Sequence, residues 1–175
     1  MAKTFVEMLN EPKNTLGRTE EVVEIVLKDN RRISELYECY FQPDEWVRLR
    51  TSSSFKRIWR ADVELFRPFI AGFVAKVSKI DQPSVQWTFS QMCQDLADQL
   101  TPKQTKSATE TMKGYLENSN DWIVQNTTIE TLAKWAVDDS VLRKWLMPKL
   151  RKLSKTGKKS VASRSTKWLS KLDVD

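Results

Sequence analysis

Apolar residues along this chain recur at helical spacing, and the pattern itself recurs with a period longer than any one helix. Four segments begin alike: residues 46–59 (WVRLRTSSSFKRIW), 84–97 (SVQWTFSQMCQDLA), 123–136 (IVQNTTIETLAKWA) and 160–172 (SVASRSTKWLSKL). The second residue of each is a valine, and Val47, Val85, Val124 and Val161 are separated by 38, 39 and 37 residues. Eight positions on stand Phe55, Cys93, Leu132 and Leu169, and eleven on stand Ile58, Leu96, Trp135 and Leu172. Both spacings return to one face of a helix, so each segment is predicted to be an amphipathic helix with the same apolar stripe. Self-similarity at this period is the signature of stacked repeats.

A second helix fits each interval. Residues 62–80, 101–117 and 138–154 carry apolar positions at helical spacing, as in Val63, Phe66, Phe69, Ile70, Phe73 and Val77. Asp62, Thr101 and Asp139 are predicted N-caps, with Pro102 at the first helical position after Thr101. Asp44, Pro83 and Asp121 stand where the valine-bearing helices start. Residues 19–28 and 31–41 form a further predicted pair, with Val22, Val23, Ile25 and Val26 on one and Ile33, Leu36, Tyr37 and Tyr40 on the other. Pro68 and Pro148 fall within second-type helices and should each kink or shorten them.

With only 4 glycines and 6 prolines in 175 residues, the chain has too few turn formers for a many-stranded sheet. No run approaches the roughly 20 apolar residues of a membrane span. The opening residues lack the layout of a secretory signal, so a cytoplasmic location and no membrane partner are expected. There is no histidine, which removes Ser-His and Cys-His nucleophile pairs and the usual base near neutral pH. Cys39 and Cys93 are too few for a disulfide framework or a thiolate metal site and read as small core hydrophobes. No Gly-rich phosphate loop, paired-carboxylate motif or nucleophile elbow is present, and no catalytic, cofactor-binding or metal-binding residue is expected.

The net charge of +6 is concentrated. Residues 1–140 carry 18 Lys and Arg against 21 Asp and Glu, whereas residues 141–175 carry 11 against 2. Between Arg143 and Lys171 there is no acid at all. Such a tract either neutralises phosphates or serves as the solvated end of a stack.

Asp44-Glu45-Trp46-Val47-Arg48 resembles the Asp-x-x-Val-Arg helix of HEAT repeats, and Leu16 to Val23 resembles the start of uncharacterised bacterial HEAT-like proteins. The resemblance spans roughly residues 16–172. It implies an all-α fold, a right-handed α–α superhelix of about four to five helix pairs within a single domain over residues 1–175. The divisions would be an N-terminal pair at 16–43, repeats at 44–82, 83–120 and 121–158, and a capping helix at 159–175. The arginine after the valine is present only at Arg48. Gln86, Gln125 and Ala162 replace it, which leaves an Asp/Arg ladder between repeats without its arginines. Four residues after each valine stand Thr51, Phe89, Thr128 and Ser165, so the second repeat should pack more loosely or at an adjusted angle.

A monomer is expected, because no long, uniformly apolar surface stripe is evident. The resemblance also implies a scaffold that takes a protein or peptide on the wall formed by the valine-bearing helices. Polar positions beside their stripe and along the basic tract are the candidate contacts: Arg50, Arg57, Gln91, Lys134, Arg151, Lys152, Lys155, Arg164, Lys167 and Lys171. The alternative partner is nucleic acid, bound by the basic tract, with the tryptophans as candidate stacking platforms. Certain alkylpurine DNA glycosylases are also built of HEAT-like repeats and use a carboxylate on the inner wall. Asp95 and Glu130 are the acids at such positions here, with nothing in the spacing to single them out.

Overall fold

The structure is a computed structural model that describes residues 3–11 and 16–173. Among these residues every regular element is helical and no strand occurs. The chain divides into two compact units, residues 1–88 and 89–175, with the division falling inside one helix.

The first unit contains α1 (Phe5–Leu9), α2 (Thr19–Lys28), α3 (Ile33–Glu38), α4 (Glu45–Ala61), α5 (Val63–Phe66), α6 (Ile70–Ala75) and the start of α7 (Pro83–Asp95). The predicted pair at 19–28 and 31–41 is present, its second member being α3 flanked by 3-10 turns at Asn30–Arg32 and Cys39–Phe41. Helix α1 was not predicted. It is a single turn held by a capping box, in which Thr4 accepts from the Glu7 amide and Glu7 accepts from the Thr4 amide. Phe5 and Leu9 are fully buried, and α1 packs on α2 and α4. Pro68 acts as expected: the predicted helix over 62–80 is broken into α5, a 3-10 turn at Arg67–Phe69 that holds Pro68, α6, and a further 3-10 turn at Val77–Lys79. The broken helix still delivers Phe66 and Phe73 to a core where they meet Phe55 and Tyr40 edge-on or stacked, at centroid distances of 4.9 to 5.8 Å.

The second unit contains the rest of α7, then α8 (Pro102–Asn118), α9 (Trp122–Trp135), α10 (Ser140–Leu153) and α11 (Lys159–Leu172). Here the helix starts fall where cap chemistry puts them. Thr101 forms a capping box with Gln104, Asp121 accepts from the amides of Ile123 and Val124, and Asp139 accepts from those of Val141 and Leu142. Pro148 does not end α10, which runs unbroken through it. The carbonyl that loses its bond is that of Lys144, on the exposed side of the helix, where water can satisfy it. Helix α9 packs against α8, α10 and α11, and α10 packs against α11. Contacts between α9 and α11 advance together, Asn126 to Ser160 and Glu130 to Arg164, so these two helices run parallel.

The four valines are all fully buried, as are the residues four positions later, Thr51, Phe89, Thr128 and Ser165. Two of the three hydroxyls are satisfied locally, Thr51 donating to the Val47 carbonyl at 2.7 Å and Ser165 to that of Val161 at 2.8 Å, while Thr128 shares a hydrogen bond of 3.1 Å with Ser90. The stripe differs from the predicted one in the last repeat, where Trp168 is buried and Leu169 only half-buried. Position seven lies within about 20° of the valine, and Ser54, Met92, Thr131 and Trp168, each seven after its valine, are all buried. Position eight lies about 80° away and is fully buried at Phe55, Cys93 and Leu132, so Leu169 alone departs from the predicted stripe. Trp135, expected on the stripe, is half-buried beside the buried Ala136.

Two glycines allow a direct test of this packing. Gly17 has φ +55°, and a Cβ there would lie 2.6 Å from the Glu11 carbonyl oxygen. Gly114, in α8, has nothing within 4 Å of its missing Cβ. Gly17→Ala is expected to destabilise the protein by about 2 kcal/mol or more, while Gly114→Ala stabilises it by about 0.5 to 1 kcal/mol. Urea unfolding of both variants checks this, and equal shifts would contradict it.

Candidate functional site

The polar residues beside the valine stripe do not form an open wall. Arg50, three positions after Val47, is fully buried, which corrects its expected place at the solvent. Three residues is only about 60° around the helix, and there the guanidinium reaches the N-terminal segment. It donates to the Leu9 carbonyl at 2.7 Å and lies 5.2 Å from the centre of the Trp46 ring. Burial draws its pKa below the ordinary arginine value, with Asp44 opposing the shift. Arg57 is half-buried and donates to the carbonyl and hydroxyl of Ser53 on its own helix. Gln91 is also half-buried.

In the second unit the same positions form a linked set. Glu130 on α9 receives Arg164 of α11 at 2.6 Å and the indole N–H of Trp168 at 2.8 Å on one carboxylate oxygen, with Lys134 3.7 Å from the other. Burial would raise the pKa of this carboxyl, but the Trp168 bond and the charges of Arg164 and Lys134 outweigh it and hold the group below its ordinary value. Glu130 is therefore tuned as a permanent anion and not as a base poised near neutral pH. Asp95 is exposed at the end of α7. Of the two acids considered for glycosylase chemistry, one ties helices together and the other faces solvent.

A second polar connection repeats between units of sequence. In the first unit Arg48, one after its valine, donates to the Gln42 carbonyl at 3.0 Å and to Gln82 at 2.6 Å. In the second, Gln125 occupies the position of Arg48. It donates to the Ser119 carbonyl at 2.9 Å, and Lys158 donates to Gln125 and to the Asn120 carbonyl. Ser119 stands to Val124 as Gln42 stands to Val47, and Lys158 to Val161 as Gln82 to Val85. A cation thus bridges two helix starts in both places, supplied by Arg48 in the first and by Lys158 in the second, with glutamine and backbone carbonyls rather than aspartate as acceptors. The sequence signal was the pairing of substitutions at those two repeat positions, which reading each position alone misses.

The basic tract behaves differently. Lys144, Arg151, Lys152, Lys155, Lys159, Lys167 and Lys171 are exposed on α10, α11 and their connection. Among the described residues the only acid after Asp139 is Asp173, which lies 3.8 Å from Arg151. Lys171 sits 4.9 Å from the centre of the Trp168 ring. Lys149 is spent on Glu117 at 2.7 Å, and Arg143 donates to the carbonyls of Ala136 and Val137. A shallow groove of about 350 Å³ runs between α10 and the end of α11, with Lys144, Met147 and Arg151 on its wall and Asp173 at its end. The structure thus brings Lys134, Arg164 and Glu130 together, gathers Arg151, Lys152, Lys155, Lys167 and Lys171 on the surface of the last two helices, and removes Arg50 from both.

No family model matches the chain, and no curated protein or solved structure matches it either.

Burial pushes the Cys39 thiol up to about 12, with Glu35 and Glu38 adding to the shift, and raises that of Cys93 as well. Both are held as thiols, in keeping with packing roles. Among the described residues no group of His, Cys, Asp and Glu is placed to hold a metal ion, and no helix is long and apolar enough to cross a membrane.

The lowered pKa of Glu130 has a pH consequence. Its contribution to stability is complete above its unfolded value of about 4.5 and is lost as pH falls through the lower folded value. Stability of the native chain should therefore fall more steeply below pH 4.5 than that of Glu130→Gln, measured by urea unfolding across that range. Parallel pH profiles would contradict the assignment.

Proposed function

We propose that the chain is a non-enzymatic binding module, built as a short right-handed superhelix of HEAT-like repeats, that engages a polyanionic partner through the basic face of its C-terminal unit. The repeat architecture is supported by the buried valines at intervals of 37 to 39 residues and by side-chain contacts that recur at similar separations. The polyanion reading is carried by one observation, the seven exposed cations of α10, α11 and their connection with a single described acid among them. Surface cations facing one another without counter-ions repel and gain from a partner that supplies negative charge. A protein or peptide seated among the residues beside the valine stripe has less support, because Arg50 is buried and Arg57 is engaged within its own helix.

Anisotropy titration of labelled nucleic acid and of a sulfated polysaccharide at about 50 and 200 mM salt tests the reading. Binding that weakens steeply at the higher salt is expected. Replacing Lys152, Lys155 and Lys167 by Gln should weaken it further and flatten the salt dependence by nearly one unit of slope per lost phosphate contact on duplex DNA. No binding to any polyanion, or binding indifferent to these substitutions, would overturn it.

A further inference from the structure

One edge of the C-terminal unit combines an exposed aromatic ring with cations from three segments. Because α9 and α11 run parallel, their first turns lie at the same edge, and the connection from α10 must return there. Lys158 makes the juxtaposition explicit: its ammonium donates to the carbonyl of Asn120, two residues before Trp122. Trp122 opens α9 with 53% of its surface exposed, whereas Trp59 and Trp168 are 3% and 5% exposed and the other four tryptophans are half-buried. The α10–α11 connection that brings Lys158 to Asn120 also carries, with its flanks, Lys152, Lys155 and Lys159, all exposed. The acids at this edge are already committed, Asp121 to the amides of Ile123 and Val124 and Glu117 to Lys149.

We propose that this edge binds single-stranded nucleic acid, with a base stacked on the Trp122 indole and the neighbouring phosphates held by Lys155 and Lys159. The inference rests on the polyanion reading above and narrows it. An indole open to solvent among lysines matches a ligand whose flat apolar faces alternate with negative charges, and a single strand presents both in every nucleotide. A duplex keeps its bases stacked inside and offers the lysines phosphates alone. The interaction should tolerate sequence, since every base has a face to stack.

The test titrates the full chain into a labelled oligothymidylate of about 15 nucleotides and into an abasic strand of equal length, which keeps the phosphates and lacks the bases. The native protein should bind the thymidylate roughly tenfold or more tightly than the abasic strand. Trp122→Ala should remove that difference and leave abasic binding unchanged, while Trp122→Phe keeps most of it. Lys155→Gln with Lys159→Gln should weaken both ligands and lower the salt slope by about 0.7 per lost contact. Equal binding of the two strands by the native chain, or a Trp122→Ala variant that still prefers the thymidylate, would overturn the base-stacking inference while leaving the polyanion reading intact. Failure to bind either strand or the polysaccharide would overturn both. Trp122 is exposed, so the Ala variant should keep the native helical circular dichroism, which separates lost stacking from lost structure.

Discussion

Burying one stripe on each valine-bearing helix is the requirement on which the rest of the structure depends. In the C-terminal unit α9 and α11 lie parallel, and the residues at the valine, four and seven positions on, are closed to water in both. Hydrophobic burial of this kind supplies most of the stabilisation, at about 25 cal/mol per Å² of apolar surface removed from water. It is also non-directional, and two parallel helices with similar stripes could slide past one another at little apolar cost.

Polar contacts remove that freedom. Glu130 accepts from Arg164 and Trp168, and Asn126 donates to Ser160. A slip of α11 by one helical turn would take these partners from the buried Asn126 amide and the Trp168 N–H, at a cost of roughly 1 to 3 kcal/mol for each group left unpaired. The exchange of Arg48 and Gln82 for Gln125 and Lys158 shows the same constraint from another direction. What is kept is a donor spanning two helix starts, and which side provides the cation is free to change. With Arg164 and Lys158 drawn into these contacts, the exposed cations of α10 and α11 are left on the outside.

Much of this was legible in the sequence because it is local. Helix starts at Asp44, Thr101, Asp121 and Asp139 follow from side chains that cap their own helices. The broken helix around Pro68 follows from a missing amide. What escaped depends on contacts distant in sequence. Helix α1 is one turn long and is held by Phe5 and Leu9 fitting into the first unit, and Arg50 is buried because that segment covers it. That Trp168 would join the stripe was available from helix geometry, since position seven lies within about 20° of the valine; that Leu169 would leave it was not, because Phe55, Cys93 and Leu132 at the equivalent place are buried. Of the candidate contacts, the cations of the last two helices could be read from composition. That Trp122 alone among the tryptophans would be exposed could not, because its exposure is decided by which neighbours fail to reach it.

The claim that polar contacts fix the register of α11 on α9 is tested most directly by a double-mutant cycle between Glu130 and Trp168. Trp168→Phe removes the N–H that reaches the Glu130 carboxylate at 2.8 Å together with part of the buried ring, a packing loss that enters both sides of the cycle and cancels. Unfolding free energies of Glu130→Gln, Trp168→Phe and the double variant should give a coupling of about 1 kcal/mol or more. Effects that add to within about 0.3 kcal/mol would mean that the carboxylate and the indole do not act together, and would contradict a register fixed by this contact.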